Sequence, residues 1–267
     1  MNNCYILKSS FYEPTRNLAV ELRFKYQNIF STKVSYTNNI ADKQGSILGA
    51  ELLLDFNFLS ERGASHAEVN DIIVLGEAAN GAIDCASQFT RFTNKKVIFI
   101  NLERSNLCDV KILRRVVTLN ESLNLVGVKL VVEITERNYC GRCCRIVQGL
   151  TYLKSCDIKL ACDDYNFIGH ELGAYDTELL LFYDYIKLEM PVGEADVNRM
   201  NEFIEYYGTD KKIILEKIEV NEQLNNVSLD NVWGLQGFAY CKGICLPKNL
   251  QINLAHAPTN SKNYVVM

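Results

Sequence analysis

The stretch VKLVVEITE, residues 128–136, decides the fold. Five of its first seven residues are apolar, and Glu133 stands among them. A short apolar, β-branched run of this kind reads as a buried strand, and an ionisable group inside it is costly unless it is paired or bound to a metal. Just upstream, DVKILRRVVTLNESL (109–123) carries apolar residues at Val110, Ile112, Leu113, Val116, Val117 and Leu119, close to helical spacing. Working outward, the same pairing of apolar run and helical segment recurs in SILGAELLLDF (46–56), KKVIFINLE (95–103), DIKLACDD (157–164), YDYIKLE (183–189), KKIILEKIE (211–219) and VWGLQGFAY (232–240). Strands alternating with helices predict a parallel sheet covered by helices, and 267 residues suit a single (β/α)8 TIM-like barrel. With four prolines and no Pro/Gly/Ser-rich linker, no boundary divides it.

Each run also carries a polar residue inside it or at its C-terminal end: Glu51, Asn101, Glu133, Asp163, Lys187, Glu216 and Gln236. Their separations are 50, 32, 30, 24, 29 and 20 residues, about one strand-helix unit each after the first. In a (β/α)8 barrel these strand ends converge on one face. Any one of them is equally well explained as a helix cap or a partner for a surface arginine. Seven in phase form a constellation. The oxygen-rich members Glu51, Asn101, Glu133, Asp163 and Asp164 suit a hard divalent cation, Mg2+ or Mn2+, and adjacent aspartates can flank two ions about 4 Å apart, the arrangement that hydrolyses phosphodiesters.

Composition excludes several other classes. The chain is 48% hydrophobic with a net charge of −4, against a basic nucleic-acid surface, so no nucleic-acid polymer is expected as partner. No apolar run reaches membrane-spanning length, and the N-terminal segment lacks the pattern of a signal peptide, so a cytoplasmic protein without membrane association is expected. Ten cysteines, among them Cys140, Cys143, Cys144, Cys241 and Cys245, raise a zinc reading. Reduced thiols used as small apolar residues are the better account.

From Tyr36 to Pro247 the sequence resembles the EAL domain, the bacterial phosphodiesterase family that linearises cyclic di-GMP. Glu51-Leu52-Leu53 stands at the Glu-Ala-Leu signature, and FINLE, VEITERN, ACDDY, YIKLE, LEKIEVNEQL and LQGFAY follow in the family's order. No single motif is specific; the ordered series is. The resemblance implies an EAL-type barrel over residues 31–255, preceded by a helical extension (1–30) and followed by a flexible tail (256–267). It implies that Glu51, Asn101, Glu133 and Asp163 ligate a first ion, with Asp163 shared and Asp164 serving a second. Lys187 would hold the attacking water, and Glu216 would act as general base or as a ligand of the second ion. Glu219 and Gln236 would complete the metal and guanine surroundings. Glu136 would brace the loop after Asp163-Asp164, which in the family also forms part of a homodimer contact. The cysteines of 140–144 and of 241–245 would then follow strands on opposite sides of the barrel, too far apart for one zinc ion.

Four departures from the family pattern bear on activity. Asp55 stands where the family has a phosphate-binding Arg, which reverses the local charge. The family's Tyr-Gln-Pro-Ile segment reads Tyr36-Thr37-Asn38-Asn39. Lys217 replaces a glycine and is expected to face solvent. The loop after Asp163-Asp164 reads Tyr165-Asn166-Phe167-Ile168-Gly169 instead of a glycine-rich sequence, and Ile168 resists the left-handed backbone that glycine permits. Two functions therefore stand. One is a metal-dependent cyclic di-GMP phosphodiesterase yielding linear pGpG and using two ions. The other is a catalytically weak or inactive domain that serves as a receptor for the nucleotide or as a regulator binding a protein partner. Glu51→Ala is expected to abolish activity with little loss of fold.

Overall fold

A computed structural model describes residues 21–32, 47–61, 63, 76–89, 96–135, 144–168, 178–246 and 252–253. Eight strands close into a barrel: β1 (Phe24–Phe30), β2 (Ile47–Leu54), β3 (Val97–Glu103), β4 (Lys129–Thr135), β5 (Lys159–Cys162), β6 (Tyr185–Glu189), β7 (Lys212–Glu216) and β8 (Val232–Leu235). Strands β2 to β8 pair in sequence order and in parallel, with Asn101 beside Glu133 and Lys187 beside Ile214. The first strand runs the other way. It pairs antiparallel with β2, placing Gln27 beside Glu51, and closes the ring where Phe30 meets Leu235 of β8. The expected helical extension through residue 30 is thus corrected: residues 24–30 are a barrel strand, held by pairing with β2 and β8 and buried from Gln27 to Phe30. Residues 1–20 and the tail from 254 lie outside the described residues.

Helices α1 (Phe56–Glu61), α2 (Glu77–Phe89), α3 (Val110–Leu125), α4 (Cys144–Ser155) and α5 (Glu194–Tyr207) connect the parallel strands. The sequence periodicity of α3 holds: Ile112, Leu113, Val116 and Leu119 are buried, while Val110 is exposed. Asp109 caps the helix by accepting a hydrogen bond from the Lys111 amide at 2.8 Å.

Alternation along the strands produces two cores. Outward residues such as Ile98, Ile100, Leu130, Val132, Ile186 and Leu188 pack under the helices. Inward residues Ile29, Val97, Phe99, Val131, Ala161, Tyr185 and Ile214, with Trp233, fill the barrel's lower half. Phe99, Tyr185 and Trp233 meet with ring centroids 5.1–6.4 Å apart, and the Lys212 ammonium covers Tyr185 and Trp233 from below. Gly234 makes room for this plug, because a Cβ there would stand 2.7 Å from Ile29 Cγ2. The next inward residue on each strand, two positions further toward the mouth, is a polar one. Among the described residues no helix is long and apolar enough to cross a membrane.

Candidate functional site

Phe99 is followed inward by Asn101, Val131 by Glu133, Ala161 by Asp163, Tyr185 by Lys187 and Ile214 by Glu216. The barrel's inner face therefore changes from apolar to ionisable within one layer of side chains. The Lys187 ammonium lies at the centre, only 2% exposed, 2.6 Å from Glu133 Oε1, 2.9 Å from Glu216 Oε2, 3.0 Å from Glu51 Oε2 and 3.3 Å from Asp163 Oδ1. Around it the amides lock Glu51 in place. Asn101 Nδ2 donates to Glu51 Oε1 at 2.8 Å, and Gln236 Nε2 donates to Glu51 Oε2 at 2.6 Å and to Gln27 Oε1 at 3.0 Å. Gln27 Nε2 in turn donates to the Cys241 carbonyl at 2.7 Å. A cavity of about 660 Å3 opens above this layer, with Glu51, Asn101, Asp163, Asp164, Lys187, Glu216, Glu219 and Gln236 on its wall.

Charge is far from balanced here. Five carboxylates (Glu51, Glu133, Asp163, Asp164 and Glu216) face two ammoniums, Lys187 and Lys217. Burial pushes Glu133 well above the usual carboxylate range, with Asp163 and Glu51 adding to the rise against the pull of Lys187. Burial likewise pushes Glu216 up to about 8 against the pull of Lys187, with Asp163 and Asp164 adding to the rise. Lys187 rises in spite of its burial, because Asp163, Glu133, Glu216 and Glu51 surround it. For Asp164 burial acts upward, but hydrogen bonds with Glu216 and Lys217 outweigh it and hold the group below its ordinary value. Glu133 Oε2 and Glu216 Oε1 are buried with no donor. Their acidic neighbours Asp163 and Asp164 could bond to them only by sharing a proton.

These orphaned oxygens, in an all-oxygen donor set around a single amine, fit a hard divalent cation. Oxygens of Asp163, Asp164 and Glu216 also lie within 4.8 Å of one another, beside the Lys187 cluster. The expected site residues Glu51, Asn101, Glu133, Asp163, Asp164, Lys187, Glu216 and Gln236 thus meet in one place. Glu219 reaches the cavity rim, where its backbone amide donates to Gln223 Oε1 at 2.7 Å. Glu136 and residues 36–39 lie outside the described residues.

Not all of the altered positions behave as expected. Ile168 does not adopt a left-handed backbone; its amide donates to Asn166 Oδ1 at 3.0 Å in a side-chain-closed turn. Tyr165 and Phe167 pack against Phe203 of α5, and the Tyr165 amide donates to the Lys187 carbonyl at 3.0 Å. Of the left-handed non-glycine residues, Asp164 (φ 42°) and Lys217 (φ 56°) lie at the cavity, and Asp157 (φ 56°) follows α4. Lys217, expected to face solvent, is exposed, its side chain half accessible at the cavity rim, where it also pairs with Asp164 Oδ1 and Glu189 Oε2, each at 2.9 Å. Asp55 is buried just before α1, where its amide donates to the Arg23 carbonyl at 2.8 Å. Among the described cysteines, Cys85, Cys108, Cys144, Cys156, Cys162, Cys241 and Cys245 are free thiols. Sequence reasoning missed Gln27 and Glu189. Gln27 lies in a run without hydrophobic alternation, and nothing in the sequence ties Glu189 to Lys217.

No protein-family model matches the sequence, and no curated protein does. Solved structures do match. The EAL domain protein of Listeria monocytogenes EGD-e is 17% identical, with 84% of this chain and 88% of that one covered and a TM-score of 0.54. The Klebsiella pneumoniae BlrP1 structure, a complex with manganese and cyclic di-GMP, is 18% identical over 91% of this chain and 64% of that one, with a TM-score of 0.58. The Bacillus subtilis YkuI protein, with an EAL domain and bound cyclic di-GMP and calcium, is 20% identical over 85% of this chain and 55% of that one, with a TM-score of 0.60. The barrel closed by an antiparallel first strand, and the order of its parallel strands, give this chain the fold of the EAL-domain structures.

Proposed function

We propose that this protein is a divalent-metal-dependent phosphodiesterase that opens cyclic di-GMP to linear pGpG. The observation that carries the reading is the convergence of Glu51, Glu133, Asp163 and Glu216 within 3.3 Å of one buried ammonium at the mouth of the barrel. Cyclic di-GMP and a divalent ion in the BlrP1 and YkuI structures support the choice of substrate and cofactor. Glu51, Asn101, Glu133 and Asp163 would hold Mg2+ or Mn2+, with Asp164 and Glu216 turned toward the neighbouring position. When bound, the ion neutralises the phosphodiester and stabilises the oxygen that leaves.

The chain's own groups do the rest. Lys187 Nζ, kept cationic by its acidic surroundings, donates a hydrogen bond to the attacking water and orients it. Glu216 takes the proton from that water at a carboxylate oxygen, a role suited to a group whose burial moves it toward neutral pH. Gln236 and Asn101 hold Glu51 by both of its oxygens, so the acid cannot swing away when substrate enters. Glu219, at the rim, would meet the guanine side of the nucleotide.

The test is conversion of cyclic di-GMP to pGpG by purified protein with Mn2+ or Mg2+. Turnover that is abolished by Glu133→Gln supports the proposal, and its absence at micromolar enzyme overturns it. One observation favours a second reading: Lys217 paired with Asp164 leaves that aspartate partly neutralised. A receptor would bind the nucleotide in the same assay without turning it over.

A further inference from the structure

Lys217 is a bulky residue in a backbone conformation that lysine rarely adopts, at φ 56°. Something must hold it there. The side chain crosses the cavity mouth to a bond of 2.9 Å with Asp164 Oδ1 and another of 2.9 Å with Glu189 Oε2. Asp164 belongs to the second group of converging oxygens, those of Asp163, Asp164 and Glu216 within 4.8 Å of one another. Glu216 is itself more than nine-tenths buried, and its Oε1 has no donor. Lys187 reaches Asp163 and Glu216 from the barrel's centre, which leaves Asp164 on the outer edge, and Lys217 is the cation that reaches it.

We propose that Lys217 is a tethered cation that takes the place of a second metal ion. The site then holds one divalent ion, ligated around Glu51, Asn101, Glu133 and Asp163, and the Lys217 ammonium supplies positive charge on the Asp164 side. In that position it lines the cavity beside Asp164. This rests on the reading of the acidic cluster as a cation site, and it adds the number of ions and the residue that sets it. The Lys217 side chain is half exposed, so its repulsion of a divalent ion about 5 Å away is screened by water and weakens binding on the order of 10-fold.

The experiment is Mn2+ titration of the full chain, followed by calorimetry and by electron paramagnetic resonance, without substrate. The wild-type protein and Lys217→Arg are expected to bind one ion. Lys217→Gly, which also relieves the backbone, and Lys217→Gln are expected to bind two, the second on the order of 10-fold more tightly than in the wild type. Two variants of different backbone preference separate loss of charge from loss of strain. The same number of ions in all four proteins, or two in the wild type, overturns the inference and leaves the cation site itself standing. Failure of every protein to bind Mn2+ overturns both the inference and the proposed function.

Discussion

Replacing Lys187 by methionine removes the one cation from the middle of the acidic layer while keeping the length of the side chain. In the metal-free protein this leaves Glu51, Glu133, Asp163 and Glu216 facing one another, three of them less than a tenth exposed. Removing one partner of a buried ion pair costs about 3–5 kcal/mol, which for a chain of this size lowers the melting temperature by roughly 6–20 °C. Protons can partly take the ammonium's place, so the loss should be larger at pH 8 than at pH 6. A divalent ion can do so more fully. Wild-type protein must move its ammonium aside to admit Mn2+, whereas Lys187→Met need not, so added Mn2+ should raise the melting temperature of the variant more than that of the wild type. Thermal denaturation in chelator and in Mn2+, at both pH values, measures all of this. Equal stability of the two proteins in chelator, or an equal rise on adding Mn2+, would refute the idea that Lys187 stands where a cation is wanted.

Glu216 sets a second expectation. Its folded pKa of about 8 lies above its unfolded value, so the folded state binds the extra proton and metal-free stability falls as pH rises from about 5 to about 8. Calorimetry in buffers of different ionisation enthalpy should then show close to one proton released from this group when Mn2+ binds at pH 7, and proton-neutral binding would contradict it. Asp184 has the opposite sign. Burial acts to raise it, but Lys154 at 2.7 Å and the Leu160 amide at 3.0 Å hold it below its ordinary value, so its stabilisation is present above the unfolded pKa and is lost as pH falls through the folded one. Asp184→Asn should cost about 1–3 kcal/mol at pH 7 and much less at pH 3, as read from denaturant melts at the two pH values. Glu51→Ala should abolish activity but also lower stability by about 1–3 kcal/mol, since Asn101, Gln236 and Lys187 all lose a partner; Glu51→Gln separates the two effects in activity and melting assays. A Cβ at Gly237 would stand 2.2 Å from the Ile218 carbonyl oxygen, so Gly237→Ala should displace Gln236 and reduce turnover and melting temperature together.

The parallel part of the barrel was legible because each strand is a short apolar run that ends in one polar residue, and the spacing of those residues matches the strand-helix unit. The first strand escaped notice for a physical reason. In FKYQNIF the inward residues include Gln27 and the outward ones include Tyr26, so the run lacks the hydrophobic contrast of VKLVVEIT. Its partners come from β2 and from β8, more than 200 residues away, and no local pattern reports such a pairing. The site's composition could be read from strand ends, but Lys217 could not. Its chemistry depends on a left-handed turn that lets a half-exposed side chain reach Asp164 and Glu189, partners the sequence alone does not point to. Ile168 was misjudged, since a side-chain-closed turn at Asn166 removes the need for a glycine-like conformation.

Because β1 runs opposite to the other strands, it begins at the mouth of the barrel and ends at its floor. Phe24 accordingly lines the cavity, and the Leu246 amide donates to its carbonyl at 3.3 Å. Ile244–Cys245 pairs with Lys25 and Tyr26, and Ile252–Asn253 pairs with Glu21–Leu22, so chain entering and chain leaving the barrel are stitched together beside the acidic layer. In a barrel of parallel strands only, the entering chain would approach from the opposite face. Gln27 follows the paired Lys25 and Tyr26 directly, and Gln236 donates to it at 3.0 Å. That makes this pair of ends a natural place to attach a donor and acceptor fluorophore whose separation would report what happens inside the cavity.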